Sequence, residues 1–336
     1  DGNPYVTPEI IFKTAESLKF SILRNYFREV RKMKRSLTFN GLDEMLDVLE
    51  SDLYATLFSK NKPDHFNIDY FEKVLENIHQ IIVNQTDGLY ESLILDLKHK
   101  VKIFGFHFAS LDIRQDSRIH KIVFDEIFSH PDIGNYVKGL PEDFEKLDTP
   151  SRHKVLTTLK GNVPAEIFET TITKETLASI RAMRIIQERN GERGCNRYII
   201  SNCQTIDNIL ELFALHKICN WDHPTVDIIP LFETIPDLKV CEKIMQTLFE
   251  NEQYRKHLAS RGDKQTVMLG FSDGTKDGGY FMANWSIYKA KEDLTALSNL
   301  YGITVSFFDG RGGPPARGGG NTHEFYASMG KRIQAD

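Results

Sequence analysis

Residues 225–233 read TVDIIPLFE: after Asp227 the run is apolar without a break, and it closes on an acid. A strand apolar on both faces suits a sheet covered on both sides, the arrangement of parallel sheets whose crossovers are helices. Working outward, RYIISN (197–202) lies before it, and TVMLGFSD (266–273) and TVSFFDG (304–310) lie after it. KIFGFHFASLDI (102–113) is a fifth run of the same kind. Between the last four runs the apolar residues recur at helical spacing: Thr205 to Ile218, Asp237 to Leu258, and Ala283 to Tyr301, with Gly302 placed to end the last helix. Strand and helix in alternation predict an α/β fold. An open doubly wound sheet and a closed barrel both satisfy that pattern.

The N-terminal third departs from it. Thr7 suits a helix cap, Pro8 the first helical position and Glu9 the positive end of the dipole. Ile10, Ile11, Ala15, Leu18, Ile22, Tyr26, Phe27 and Val30 then follow at helical spacing to about Leu37. Further amphipathic helices are expected at 40–62 and 66–100, and 130–150 reads as a connection rich in Pro and Gly. The expected organisation is a helical segment over 1–100 and an α/β portion over 101–336, an α/β class with an excess of helix.

With 336 residues, 40% hydrophobic and 26% charged, the chain has the composition of a globular protein. A net charge of −5 gives no reason to expect nucleic acid or a membrane surface as partner. No apolar run is long enough for a membrane helix. Cys195, Cys203, Cys219 and Cys241 stand apart without CxxC spacing, which reads as reduced structural thiols in a cytoplasmic protein. The opening DGNPYVTPEI has no initiator Met and the close SMGKRIQAD falls in a helix-like stretch, so a piece of a longer polypeptide is expected.

The strand ends carry the chemistry. Asp112, Arg114 and Gln115 close the first run, Glu233 the third, Asp273 the fourth, and Asp309 and Arg311 the fifth. In α/β barrels the active site sits at the C-terminal ends of the strands. Strands also end in polar residues simply because they reach water. Glu233 and Asp273 together suit Mg²⁺ or Mn²⁺, which take carboxylate oxygens and fill the remaining positions with water or substrate. Lys276 could offset negative charge on a substrate, or pair with Asp277 on the surface. DGRGGPPARGGG (309–320) combines glycines, which let backbone N–H groups approach a ligand, with two arginines that grip phosphate or carboxylate. It is neither a Walker loop nor a dinucleotide fingerprint. His107 reads as a buried structural histidine, and Trp285 with Tyr288 as core.

Taken in order, FGFHFASLDIRQDS, PLFETIPDL, VMLGFSDGTKDGGYFMANWSIYKAKEDL and FDGRGGPPARGGG resemble the phosphoenolpyruvate carboxylase family, as does the opening DGNPYVT. The resemblance implies part of an eight-stranded (β/α)8, TIM-like barrel with many added helices. It implies a reaction joining phosphoenolpyruvate and bicarbonate into oxaloacetate and phosphate, through carboxyphosphate and the pyruvate enolate. Glu233 and Asp273 then match metal ligands for Mg²⁺ or Mn²⁺, and Lys276 matches a catalytic lysine. Arg114 and Arg311 match phosphate-binding arginines, and Arg317 an arginine that acts with bicarbonate and meets the aspartate inhibitor. Leu231 and Met268 match the apolar pocket for carbon dioxide.

Two departures stand out. Asp309 occupies the position of a histidine that belongs to the family's catalytic machinery, and Ala316 that of a glycine, beside Pro314 and Pro315. The family's TAHPTE motif is absent from the sequence. The 336-residue chain alone is therefore expected to be inactive, although the family it resembles is allosteric, tetrameric and cytoplasmic. A non-catalytic phosphometabolite-binding or scaffolding module is the alternative reading.

Overall fold

The computed structural model describes residues 6–38, 41–310 and 321–327, and the chain divides into two compact units. One comprises Thr7–Leu111 with Ala182–Asn196, and the other Asp112–Arg181 with the chain from Arg197 onward.

In the first unit, helices α1 (Pro8–Ser36), α2 (Leu42–Phe58), α3 (Ile68–Thr86) and α4 (Glu91–Phe104) follow one another. The Thr7 side chain accepts from the Ile10 N–H, so the cap falls where the sequence places it. The expected 66–100 helix is two helices. Asp87, Gly88 and Tyr90 all take positive φ, and a helix cannot pass through that turn. Tyr26, Val30, Leu46, Leu49, Phe71 and Leu75 share one fully buried cluster. The phenol of Tyr26 satisfies its hydroxyl there by donating to the Gly105 carbonyl at 2.8 Å.

Most of the apolar run 102–113 is not a strand: only its last two residues, Asp112 and Ile113, belong to one. Helix α4 continues to Phe104, Gly105 ends it, and Phe108 sits at φ 64°, which no extended chain can hold. Phe106 is buried in the helical cluster and stacks on Phe66 at 5.5 Å, so the aromatics of this run serve helix packing. His107 is buried, as expected.

The second unit holds a parallel sheet. Strand β1 (Asp112–Asp116) is followed by α5 (Ser117–Ser129), the two-residue strands β2 (Val137–Lys138) and β3 (Lys160–Gly161), and α6 (Thr149–Thr158) between them. Helix α7 (Thr171–Asn190) precedes β4 (Arg197–Ser201), and α8 (Ile206–Ile218) precedes β5 (Asp227–Phe232). Helices α9 (Ile235–Glu250) and α10 (Glu252–Ser260) lead to β6 (Lys264–Gly270), and α11 (Ser272–Leu300) to β7 (Thr304–Gly310); α12 (Thr322–Ala327) follows. The sheet order is β1-β4-β5-β6-β7, every pairing parallel. A doubly wound sheet reverses its order at a switch point, and this one does not. The small pair β2-β3 is antiparallel and separate.

Three helix boundaries differ from the sequence reading. The expected helix over 237–258 is two, hinged at Asn251, whose side chain accepts from the Gln253 and Tyr254 N–H groups. The helix expected from Ala283 starts at Ser272 and breaks at Gly279 (φ 79°, ψ 169°), so Lys276 lies on a helical turn. Trp285 is exposed and stacks on Tyr288 at 6.0 Å, and so is not core. Among the described residues no helix is long and apolar enough to cross a membrane. All four cysteines are buried, none in a disulfide, and burial pushes the Cys203, Cys219 and Cys241 thiols up, away from reactive thiolate.

Candidate active site

Register decides which side chains meet. Arg114 on β1 pairs with Ile199 on β4, and Ile199 with Ile229 on β5, so these three point to one face of the sheet. Alternation along β5 puts Leu231 on that face, and Leu231 pairs with Met268 on β6. Ile199, Ile229, Leu231 and Met268 form one buried apolar cluster. The two residues assigned to an apolar pocket are therefore in contact within a dry patch.

Glu233 follows β5 in the same phase. Its Oε1 accepts from Nη2 of Arg114 at 3.2 Å, and its Oε2 accepts from the Asn202 backbone N–H at 2.9 Å. Asn202 terminates β4 in the left-handed region (φ 54°), which turns its N–H toward the carboxylate. Its carbonyl accepts from Ser117 Oγ at 2.7 Å, so the turn is tied to the start of α5. Glu233 is thus held by three strand ends at once, its side chain only 17% exposed. Gly270, at the end of β6, makes room for it: a Cβ there would stand 3.0 Å from the Glu233 Cα and 3.2 Å from its Cγ.

Asp273 lies in the first turn of α11, directly beyond β6. A Cβ on the next residue, Gly274, would lie 3.4 Å from the Glu233 carbonyl oxygen, so both flanks of Asp273 run close to Glu233. Its carboxylate accepts from Lys276 Nζ at 2.9 Å across one helical turn. Asp277 has a different task, accepting from the Ile235 N–H at 3.2 Å at the start of α9. The pairing of Lys276 with Asp277 is therefore not formed. Thr234 and Asp237 complete that helix end with a capping box.

Asp309 goes elsewhere. It pairs with Leu269 in the register of β6 and β7, out of phase with Leu231 and Met268, and so faces the helices. There it receives Nζ of Lys291 at 2.8 Å and 3.0 Å on its two oxygens. Lys291, on α11, is 5% exposed and lies over the ring of Phe307. The structure therefore brings together Arg114, Glu233, Leu231 and Met268, with Asp273 and Lys276 on the adjoining helix turn, but leaves Asp309 on the opposite face. Arg311 and Arg317 lie outside the described residues, as does most of the glycine-rich loop.

Asn202, Asp277 and Lys291 were missed from sequence. Only Asn202 left a signal, a polar residue of left-handed tendency at the end of an apolar strand. Electrostatically the rim is mixed. Asp116 caps α5, and the Arg118 guanidinium beside it holds its carboxyl below the usual range. At the opposite end of β1, away from the rim, burial pushes the Asp112 carboxyl up, with Arg197 opposing the shift. Among the described residues no three His, Cys, Asp or Glu side chains converge as a metal cluster. Two carboxylates at neighbouring strand ends remain, an all-oxygen pair of the kind Mg²⁺ completes with water and substrate oxygens.

A family model described as phosphoenolpyruvate carboxylase matches residues 55–329. The chain is 33% identical to the phosphoenolpyruvate carboxylase of Nitrosomonas eutropha, over 96% of this chain and 39% of that protein. It is 29% identical to that of Trichormus variabilis, over 96% and 39%, and 29% identical to that of Rhodothermus marinus, over 98% and 40%. It spans about two fifths of the length of the curated relatives it matches.

Proposed function

The chain belongs to the phosphoenolpyruvate carboxylase family, and from that premise we propose that its strand ends supply part of a site joining phosphoenolpyruvate to bicarbonate. The observation that carries the reading is the Arg114–Glu233 contact, in which a phosphate-gripping candidate and a metal-ligand candidate from different strands meet at 3.2 Å. In the whole protein the five strands form an arc of a (β/α)8 barrel, with the rest of the barrel and further substrate contacts supplied by other residues. That whole protein acts in the cytoplasm as a homotetramer.

Each residue then has a task. Arg114 leaves Glu233 and turns its planar guanidinium to the substrate phosphate, where two parallel N–H donors fit two oxygens. Arg311 grips the same phosphate from the glycine loop, and Arg317 meets bicarbonate. Glu233 and Asp273 hold Mg²⁺ or Mn²⁺, which when bound polarises phosphoryl and enolate oxygens. The bicarbonate oxygen attacks phosphorus as the bond to the enol oxygen breaks, giving carboxyphosphate and the enolate of pyruvate. Carboxyphosphate releases carbon dioxide and phosphate, and the enolate carbon attacks that carbon dioxide to form oxaloacetate. Leu231 and Met268 exclude water at this stage, which protects the enolate from protonation. Lys276 leaves Asp273 to offset the charge that develops.

The experiment is a titration of this chain with Mn²⁺ and phosphoglycolate, together with a coupled assay for oxaloacetate. Ligand binding weakened by Arg114→Ala and Arg311→Ala is expected, with no turnover by the 336 residues alone. Bicarbonate-dependent turnover by this chain would refute the incompleteness of the site. Phosphoglycolate binding indifferent to both arginines would remove the phosphate site.

A further inference from the structure

Away from the strand ends, the first unit holds a cavity of about 810 Å³, in the size range of small-molecule sites. It is bounded by α1, by α2 with the turn after it, and by the last residues of α7. Lys13 and Lys19 on α1, Lys62 beyond α2 and Arg189 on α7 all line it. Among the described residues the lining holds one acid, Glu16, which pairs with Arg189 at 3.4 Å. Three lysines are left with no acid in the lining to offset them. The hydroxyls of Ser17, Ser21 and Thr56 each donate to the carbonyl one turn back on their own helix, so an incoming group meets ammonium donors instead. Phe20, Leu23 and Leu57 supply an apolar wall. Phe20 is 40% exposed although its ring packs edge-on against Phe58 at 6.1 Å.

Lys19 carries the mark of this crowding. It is half-buried, donates to the Arg189 carbonyl, and its ammonium lies 5.6 Å from the centre of the Phe106 ring. Burial pushes its pKa down to about 8, Lys62 and Arg189 push the same way, and Glu16 opposes them. Like charges gathered along one concave surface repel each other, and an oxyanion placed among them offsets that repulsion.

We infer that this cavity binds a small, multiply charged oxyanion carrying an apolar group, an organic phosphate rather than a simple carboxylate. Three uncompensated lysines match a dianion better than a single negative charge, and the aromatic wall gives the rest of the ligand a surface to lie on. The inference uses no residue of the strand-end site and stands whether or not that site binds phosphoenolpyruvate.

The test is a calorimetric titration with phenyl phosphate, with benzoate and inorganic phosphate as the two halves of its chemistry. It uses the Arg114→Ala chain, so that the strand-end site does not contribute. Phenyl phosphate should bind roughly tenfold more tightly than benzoate, the scale of one additional charge at close range. Lys19→Gln and Lys62→Gln should each weaken phenyl phosphate by about the same factor. Glu16→Gln should tighten it severalfold. Lys32→Gln, on α1 but not in the lining, should leave it unchanged. Phe20→Ala should weaken phenyl phosphate and spare inorganic phosphate. Binding should also raise the pKa of Lys19, followed through the NMR signals of its side chain.

Absence of phenyl phosphate binding, or binding untouched by Lys62→Gln, would overturn the inference. Equal losses in Lys32→Gln and Lys62→Gln would overturn it too, since general surface charge would then account for the binding. Benzoate binding as tightly as phenyl phosphate would overturn the choice of a phosphate. Lys62 is exposed, so its variant keeps the test decisive if Lys19→Gln loses the native circular dichroism signal.

Discussion

One sheet presents two faces with opposite chemistry. On the face carrying Arg114, Leu231, Met268 and Glu233, the apolar residues form a small dry cluster, and Arg114 and Glu233 pair beside it, partly exposed. On the face toward the helices, polar side chains are paired across to the helix layer: Tyr198 with His120 at 3.0 Å, Gln265 with Tyr254 at 3.0 Å, and Asp309 with the buried Lys291 at 2.8 Å. Glu233 and Asp309 look alike in the sequence, as acids at the ends of apolar strands. Strand phase alone separates them. The first stays at a rim where a ligand can compete for it, and the second is committed to the helix layer.

That contrast can be broken most sharply at Asp309. Asp309→Ala leaves the Lys291 side chain, 6% exposed, enclosed without its anion and should cost about 3 kcal/mol in urea-unfolding free energy, beyond the effect of Glu233→Ala, whose partner Arg114 is 29% exposed. Equal costs would erase the distinction between the faces.

Acid should also attack the helix side first. Burial holds His216 down to about 4 and His120 and His257 to about 3, whereas an unfolded histidine titrates near 6.5. Below pH 6.5 the unfolded chain binds more protons than the folded one. The stability these groups contribute is thus complete above that pH and is lost as pH falls toward 4. Replacing His216 by Phe should recover about 2 kcal/mol of the loss measured at pH 5, relative to neutral pH. An unchanged acid limb would place the sensitivity elsewhere.

A smaller effect is expected at the rim. Gly270→Ala forces a methyl against the Glu233 backbone and should cost about 1 kcal/mol while weakening Mn²⁺ binding severalfold. Unchanged Mn²⁺ affinity would separate Gly270 from the seat of Glu233.

The sequence made the α/β alternation legible because the four later strands each hold an apolar run and α8, α9 and α10 carry side-chain caps. It also marked Glu233 and Asp273 as acids placed just beyond apolar runs. Three things stayed hidden. The 102–113 run looked like a strand because Phe106 and Phe108 alternate with His107, yet the left-handed turn at Phe108 is a tertiary outcome. The true strand, DIRQD, is polar, and among the described residues it pairs only with β4. The face of Asp309 was unreadable since a strand buried on both sides shows no alternation. Lys291 lies 18 residues away on a helix, a separation at which no local pattern links a lysine to its acid.

The most direct measurement is a Mn²⁺ titration of the 336-residue chain, followed by electron paramagnetic resonance, for the parent, Glu233→Ala, Asp273→Ala and Asp309→Asn. Binding should be lost in the first two variants and retained in Asp309→Asn, because Glu233 adjoins the helix turn that carries Asp273, whereas Asp309 pairs with Lys291 on the other face. Binding that survives both rim substitutions, or that falls equally in all three variants, would contradict the division of the sheet into a ligand face and a packing face.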